Sequence, residues 1–355
     1  MLTIFAITVG FFFAINIGAS GAAASMGISY GAGVIKKPIY ALLLCGIAVF
    51  LGAWLGGSEV VKTLGNGIVP QETFTTSIAL IVLASAALSL FLANILSIPL
   101  STSEVTVGSI VGVGMVYQTL FVGKFLWIFM FWIMTPVVAF GMAILAVILL
   151  KQTFMKRWLK SPKSAPILAV VVVFMGMFEA FSAGMNNVAN AVGPLVGAGL
   201  LSVDSGIFWG GLFVALGALV LGRGVLETNG KKITTLKLEE GCIISGTGAA
   251  VVTLASIFGI PVPLVQITSS SIIGIGFAKQ GREVFQKEIV IKLLAVWIVS
   301  PVLSMVLSFT LIQMMIEHNL YPIIIMVGVL ISVFGLKYLM KKPGESKKVF
   351  LSKEN

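Results

Sequence analysis

Charged side chains are scarce in this chain of 355 residues. Only 10% of its residues are charged and 58% are hydrophobic, whereas about 25% are charged in an ordinary soluble domain. This composition excludes a soluble globular protein. Apolar runs such as residues 76–96 and 164–178 approach the roughly 20 residues that cross a bilayer. The sequence therefore predicts an all-α polytopic membrane protein.

The side chains that enzymes use most are also rare. The chain has one histidine and two cysteines. His318 falls in a short loop, and Cys45 and Cys242 lie within or beside apolar stretches, so neither a disulfide nor a metal site is predicted. The nucleotide-binding pattern G-x-x-x-x-G-K-[ST] is absent. These absences argue against an enzyme and against an ATP-driven pump.

The net charge of +10 comes from Lys and Arg residues in short segments between the apolar runs. Basic clusters of this kind mark the cytoplasmic side of a membrane protein. The connector 151–163 and the tail 339–355 are both basic. We therefore expect both segments to be cytoplasmic and do not interpret the charge as a sign of nucleic-acid binding.

Two motifs occur twice in the same order. NIGASGAAASMG (16–27) aligns with SAGMNNVANAVG (182–193) at a separation of 166 residues. IPLSTSEVTVGSIVGVGM (98–115) aligns with IPVPLVQITSSSIIGIGF (260–277) at a separation of 162. Two motifs at nearly one separation indicate an internal duplication.

The two copies are predicted to have inverted topology. The connector after the first motif carries Lys36 and Lys37 in copy one, whereas the equivalent connector in copy two carries only Asp204 as a charged residue. The order is reversed at the following connector, which is basic in copy two. The positive-inside rule then places the copies upside down relative to each other. Counting the glycine-rich stretches as broken or re-entrant crossings gives about 11 crossings with the N-terminus outside.

The predicted units follow from this duplication. They are inverted repeat one at 1–150, a cytoplasmic connecting loop at 151–163, inverted repeat two at 164–313, an extra helix at 314–338 and a basic cytoplasmic tail at 339–355.

Polar residues interrupt the apolar pattern at both motifs, at Asn186, Asn187 and Asn190 and in the run 101–104. Irregular polar backbone survives in hydrocarbon only where it is buried in protein or lines a cavity. Interrupted apolar segments in two inverted copies indicate the binding site of a secondary transporter. Glycine and alanine can also serve close helix packing alone. That second interpretation fits Gly31, Gly33, Gly197 and Gly199.

At these residues the chain resembles the inorganic phosphate transporter (PiT) family, whose signature is a GANDVANA-like motif in each of two inverted repeats, with a PVSTTH-like motif later in each. Copy two reads GMNNVANAVGPL, a close match, and copy one reads GASGAAASMG, a degraded one. The later motifs read PLSTSEVTVG and PVPLVQITSS. The resemblance covers nearly the whole chain. It implies oxyanion cotransport through a pseudo-two-fold site, commonly in a homodimer.

The chain departs from the family motifs at their ionisable positions. The motif aspartate is replaced by Gly21 in copy one and by Asn187 in copy two. The histidine of the later motif is replaced by Glu104 and Gln266. Within the family, this pattern is most similar to the CysP-type bacterial sulfate permease branch.

These losses favour sulfate as the substrate. Phosphate keeps hydroxyl protons near neutral pH and needs acceptors, whereas sulfate can only accept hydrogen bonds, and a carboxylate facing sulfate would repel it. Glu104 could still accept a proton from phosphate, so phosphate stays open. Helix N-termini would add N–H donors. The predicted substrate-binding residues are Ser20, Gly21, Ser25, Ser101, Thr102, Ser103, Asn186, Asn187, Asn190, Gln266, Thr268 and Ser269.

Import of a dianion into a negative-inside cell needs a coupled cation, because each charge moved against 100 mV costs about 2.3 kcal/mol. Two carboxylates lie within apolar stretches, Glu104 and Glu179. An ionisable residue inside the membrane is a functional hypothesis by default. We therefore predict both as ion-coupling residues and favour proton symport. A sodium site of neutral oxygens, such as that of Asn190, stays open.

The predicted function is secondary active import of sulfate across the cytoplasmic membrane by proton symport and alternating access. Sodium-coupled phosphate symport is the first alternative, and an anion channel is the second. No cofactor is predicted beyond the co-transported H⁺ or Na⁺. The expected partners are the oxyanion, the lipid bilayer and a second copy of the chain in a homodimer.

Overall fold

The computed structural model describes residues 1–96, 100–159, 161–233, 237–286 and 288–339, and all regular elements within them are helical. Pro99, which belongs to a repeated motif, and residues 340–355 of the basic tail lie outside the described residues. The α-helices are α1 (Leu2–Ile17), α2 (Gly27–Gly31), α3 (Pro38–Gly56), α4 (Ser58–Lys62), α5 (Thr76–Leu96), α6 (Thr102–Tyr117), α7 (Val122–Leu150), α8 (Thr153–Leu159), α9 (Ser164–Gly197), α10 (Val203–Leu221), α11 (Arg223–Ile233), α12 (Leu238–Ile257), α13 (Leu264–Gln280), α14 (Glu288–Met315) and α15 (Pro322–Leu339).

Many of these helices have the length and the apolar composition of membrane-spanning helices. Within the described residues, 6 helical segments are long and apolar enough to cross a membrane. The segments are Leu2–Gly31, Pro38–Gly56, Val122–Leu150, Ser164–Gly197, Val203–Leu221 and Leu238–Ile257. Shorter apolar helices cover Thr76–Leu92, Val299–Met315 and Pro322–Ser332. The prediction of an all-α polytopic membrane protein is confirmed.

The first motif of copy two does not break its helix, contrary to our prediction. α9 runs from Ser164 to Gly197 without interruption and contains all three asparagines. Its glycines allow close packing instead, because a Cβ at Gly184 would overlap the Val49 carbonyl of α3. The asparagines therefore project from the middle of a continuous helix and do not lie at a helix N-terminus.

The same motif in copy one is irregular. α1 continues into a π-helical turn at Gly18–Ala22 and a 3-10 turn at Ala23–Met26 before α2 begins. A single π-helical turn inside a helix often marks a functional site. The two copies of the motif thus differ in backbone as well as in sequence.

The helix breaks that bear on the site lie at the later motif of each copy. α6 begins at Thr102 with Ser101 as its N-cap, and α13 begins at Leu264 with Pro263 as its N-cap. The Trp132 indole donates a 2.9 Å hydrogen bond to the Pro261 carbonyl, which ties the connector before α13 to α7. Both breaks place the start of a helix within the protein.

Gly33 and Gly199 have backbone φ angles of +73° and +67°. Nothing lies within 4 Å of a Cβ built at either position. The interpretation of these two glycines as close-packing residues is therefore wrong, and they are needed for the left-handed backbone that ends their helices. Close packing does explain Gly197, whose Cβ would lie 3.0 Å from the Phe74 ring.

The helices of the two copies pack in matching pairs. α6 packs on α14, and their predicted equivalents in the other copy, α13 and α7, pack on each other. In the same way α1 packs on α10, and their predicted equivalents, α9 and α3, pack on each other. α5 contacts α14, and its predicted equivalent α12 contacts α7. These helices enclose the polar residues of both motifs.

Candidate functional site

Asn186 is completely engaged with protein partners. Its Nδ2 donates to Ser256 Oγ at 2.9 Å and to the Ile260 carbonyl at 3.1 Å. Its Oδ1 accepts from Ser103 Oγ and from the Val262 backbone N–H, both at 3.2 Å. An amide has two donors and two acceptor sites, so none is left for a ligand. Asn186 therefore joins α9 to α6, to α12 and to the connector before α13.

Asn190 lies one turn further along α9 and is only partly satisfied. Its Nδ2 donates to Thr102 Oγ1 and to Ser103 Oγ, both at 3.2 Å. Its Oδ1 is buried without a hydrogen-bond partner in the described residues. Buried polar atoms are rarely left unpaired. Asn190 thus presents one free acceptor beside the first turn of α6.

Asn187 and Gly21, which replace the two motif aspartates, face each other. A Cβ at Gly21 would lie 3.9 Å from Asn187 Nδ2. Asn187 is buried to 6% exposure, and its amide makes no hydrogen bond within the described part of the chain. A free amide donor therefore lies opposite backbone where the family signature has a carboxylate.

Glu104 and Gln266, the other pair of equivalent motif positions, are in direct contact. Gln266 Nε2 donates to Glu104 Oε1. Both side chains are buried, and the Ser300 hydroxyl of α14 also faces the Glu104 carboxyl. The later motifs of the two copies thus meet through an amide and a carboxyl group.

Glu179 lies on α9, two turns before Asn186. Thr268 Oγ1 of α13 donates to Glu179 Oε1 at 3.4 Å, and the Ser245 hydroxyl of α12 also faces this carboxyl. A Cβ at Gly248 would lie 3.6 Å from Glu179 Oε1. Glu179 is therefore enclosed by α12 and α13.

Neither buried carboxyl group has a cationic partner in the described residues. The ion pairs there join Lys62 to Glu59, Arg223 to Glu227 and Lys279 to Glu240. A carboxylate buried without a counter-ion is costly in a membrane protein, whereas a protonated carboxyl group is neutral. The arrangement can therefore hold exchangeable protons at two positions.

The other predicted site residues are less closely joined to this group. The Ser20 hydroxyl donates to the Asn16 carbonyl of its own helix at 2.7 Å. Ser25 Oγ is buried without a partner in the described chain. Ser101 is buried at the start of α6, and Ser269 is half-buried on α13. These four residues make no hydrogen bond to the asparagines or the carboxyl groups within the described part.

Sequence reasoning missed three serines of the site, Ser245, Ser256 and Ser300. Isolated serines in apolar helices carry little signal because most of them bond to their own helix. Ser300 could have been found from a third repeated motif. WIMTPVV (132–138) aligns with WIVSPVL (297–303), and Ser300 in the second copy faces Glu104.

Comparison with known proteins gives consistent matches. The profile of PHO4, described as the phosphate transporter family, matches residues 17–308. The sulfate permease CysP of Bacillus subtilis is 56% identical over 336 residues, covering 95% of this chain and 94% of the relative. A putative phosphate permease of Thermococcus kodakarensis is 29% identical and covers 85% of this chain and 95% of the relative. A solved structure titled "The sodium-dependent phosphate transporter" has a TM-score of 0.74 at 25% identity, covering 89% of this chain and 100% of that one.

These relatives are permeases or transporters, which confirms the prediction of a transporter over an enzyme. The resemblance inferred from the motifs, including the closeness to the sulfate permease branch, is confirmed as well. The profile extends from the first copy of the motifs to α14. This chain belongs to the phosphate transporter family.

Proposed function

We propose that this chain imports sulfate across the cytoplasmic membrane as a proton-coupled secondary transporter. The observation that supports sulfate as the substrate is the similarity of this chain to a protein described as a sulfate permease, which is 56% identical and covers 95% of this chain. The facing pair of Gly21 and Asn187 agrees with this substrate, because neither position offers a carboxylate that would repel a dianion.

Sulfate is met by uncharged donors in this proposal. The Asn187 amide is free to donate, and the first turn of α6 offers the Thr102 hydroxyl together with its N-terminal N–H groups. Ser103, also predicted as a ligand, already donates its hydroxyl proton to Asn186 Oδ1. Asn186, predicted as a ligand, has no hydrogen-bonding capacity left. We assign it to positioning α6 and the connector before α13.

Alternating access around a pseudo-two-fold site is part of the proposal. Gly21 faces Asn187 and Glu104 contacts Gln266, and each pair joins equivalent motif positions. The matching helix pairs support two inverted repeats at 1–150 and 164–313. Helices of 16 or more residues in the described chain correspond to the eleven proposed crossings, namely α1, α3, α5, α6, α7, α9, α10, α12, α13, α14 and α15.

We further propose that 151–163 connects the two repeats and that an extra helix and a basic tail follow the second repeat. The extra helix, predicted at 314–338, corresponds to α15 (Pro322–Leu339), since residues 314 and 315 belong to the end of α14. The loop and the tail are basic, which supports a cytoplasmic location for both. A homodimer is proposed from the family resemblance alone.

Proton coupling is assigned to Glu104 and Glu179. Both carboxyl groups are buried, and neither forms an ion pair in the described part of the chain. Glu104 lies in the same first turn of α6 as Thr102, whose hydroxyl belongs to the proposed sulfate site. A proton on Glu104 would remove a negative charge from the neighbourhood of the substrate.

Sodium-coupled phosphate symport is the second candidate. It is favoured by the structural similarity to a protein titled as a sodium-dependent phosphate transporter. The free Asn190 Oδ1 also supplies a neutral oxygen of the kind that binds a hard cation.

The deciding experiment is uptake of radiolabelled sulfate or phosphate into proteoliposomes of the purified full-length chain. An inward proton gradient and an inward sodium gradient are imposed separately. We expect sulfate uptake that follows the proton gradient and decreases at least about tenfold in Glu104→Gln, which keeps the side-chain shape but cannot carry a proton. The exposed Glu72→Gln is the matched control and should transport normally.

Other outcomes would contradict the proposal in distinct ways. Phosphate uptake driven by sodium would support the second candidate. Sulfate flux that is unchanged in Glu104→Gln and indifferent to both gradients would favour an anion channel.

A further inference from the structure

The proposed substrate brings two negative charges into a region without fixed positive charge. Sulfate is a dianion at neutral pH, and the residues around the site contribute amides and hydroxyls. The ion-paired lysines and arginine of the described chain lie elsewhere, at Lys62, Arg223 and Lys279. The charge of sulfate must therefore be balanced by groups whose own charge changes during the cycle.

Two carboxyl groups have the surroundings that this role requires. Glu104 on α6 is 2% exposed and is faced by Gln266 of α13 and Ser300 of α14, neither of which titrates. Within the described residues, no basic side chain forms an ion pair with it.

Glu179 on α9 is 5% exposed and has a similar environment. Thr268 of α13 and Ser245 of α12 face it. One further titratable group, the Cys45 thiol of α3, is close enough to interact with Glu179 electrostatically. That thiol donates to the Ala22 carbonyl. The residue of repeat one that aligns with Glu179 is Phe13, which is apolar. Glu179 therefore has no counterpart in repeat one and requires its own explanation.

One helix contacts both carboxyl groups. Gln266 and Thr268 lie two residues apart near the start of α13, and the first contacts Glu104 while the second contacts Glu179. Any movement of this part of α13 changes the surroundings of both groups together. This shared contact links the two carboxyl groups through one helix.

We propose that each transport cycle carries two protons with one sulfate, one proton on Glu104 and one on Glu179, so that transport is electroneutral. This inference rests on the proposed sulfate–proton function. On the outside each of the two carboxylate groups takes up one proton on one of its oxygens, and both protons leave with sulfate on the inside. The empty transporter then holds two carboxylate charges and the loaded one holds the two sulfate charges. The charge that crosses is therefore equal in both directions.

The test measures the ratio of internal to external sulfate at which net flux stops, in proteoliposomes of the full-length chain with clamped membrane potential. One pH unit should change this ratio about a hundredfold for two protons and about tenfold for one, because each proton contributes 1.36 kcal/mol per unit. The ratio should not depend on voltage in the wild type. A one-proton slope with strong voltage dependence in the wild type would overturn the inference.

The variant Glu179→Gln assigns the second proton. It should reduce the pH slope to about tenfold per unit, and 100 mV inside-negative should now lower the ratio about fiftyfold, which corresponds to 2.3 kcal/mol for one uncompensated charge. Sulfate-for-sulfate exchange shows that the variant is folded, since exchange needs no net proton movement. Loss of net uptake with exchange retained also supports the inference. A Glu179→Gln protein with the wild-type slope and no voltage dependence would overturn it.

Failure of the inference differs visibly from failure of the proposed function. A wild type driven by protons with a one-proton slope refutes only the two-proton cycle. If the sulfate ratio depends on the sodium gradient and is independent of pH, the proposed function itself is refuted. Glu72→Gln serves as the control in both cases because its carboxylate is exposed.

Discussion

At the scale of single residues, three asparagines on one helix have three different environments. Asn186 has every hydrogen-bonding group engaged, Asn190 keeps one free acceptor, and Asn187 has a free amide. The sequence motif predicts the same role for all three asparagines, and only the residues that contact each side chain distinguish their roles. Asn187 is the one suited to discriminate between anions, because it faces Gly21.

Asn187→Asp should shift selectivity from sulfate towards phosphate. The new carboxylate can accept a proton from phosphate but repels sulfate, and juxtaposed like charges cost several kcal/mol. We expect sulfate uptake to decrease at least about tenfold and unlabelled phosphate to compete better. Competition against labelled sulfate measures both effects.

Asn187→Ala is the matched control, since it removes the donor without adding charge. It should weaken sulfate uptake without improving competition by phosphate. Equal competition by phosphate in both variants would show that position 187 does not distinguish the two anions.

At the scale of elements, the placement of Glu104 depends on how closely α6 approaches α14. Cβ atoms at Gly108 and Gly112 would overlap the backbone carbonyl oxygens of Pro301 and Met305. Small residues four apart allow such contact between membrane helices. The carboxyl group of Glu104 lies one turn before Gly108, so its position is set by this contact.

Gly108→Ala should therefore lower both stability and transport. The added methyl group meets backbone that cannot move aside easily, and overpacking of this kind costs about 1–3 kcal/mol. We expect a lower midpoint of thermal unfolding in detergent together with slower sulfate uptake.

Gly141→Ala on α7 is the control for this substitution, because nothing lies within 4 Å of a Cβ there. Alanine favours a helix over glycine by up to about 1 kcal/mol, so its midpoint should stay the same or rise. Equal destabilisation in both variants would mean that the α6–α14 contact is not the cause.

At the scale of the whole molecule, the proposed inversion places equivalent connectors on opposite sides of the membrane. Lys37 follows the first motif in copy one and Asp204 follows it in copy two, and both residues are exposed. Parallel repeats would put both of them on one side. Sidedness therefore separates the two architectures without reference to transport.

Single cysteines at these positions should differ in labelling when Cys45 and Cys242 are first replaced by alanine. We expect Asp204→Cys to react with a membrane-impermeant maleimide in intact cells. Lys37→Cys should react only after permeabilisation, because its connector is basic and cytoplasmic. Labelling of both positions under one condition would contradict inversion.

The sequence by itself determined the class of this protein and the segments that matter. Apolar runs and scarce charge specify membrane helices, since hydrocarbon excludes unpaired polar groups, and the repeated motifs mark the polar positions of both copies. Sequence could not tell which motif interrupts its helix, because Gly184 permits either a break or close contact with α3. Only the tertiary structure decided that α9 is continuous, that Asn186 is fully engaged, and that Glu104 contacts Gln266 across 162 residues of chain. Such contacts depend on how distant helices pack, which local pattern does not encode.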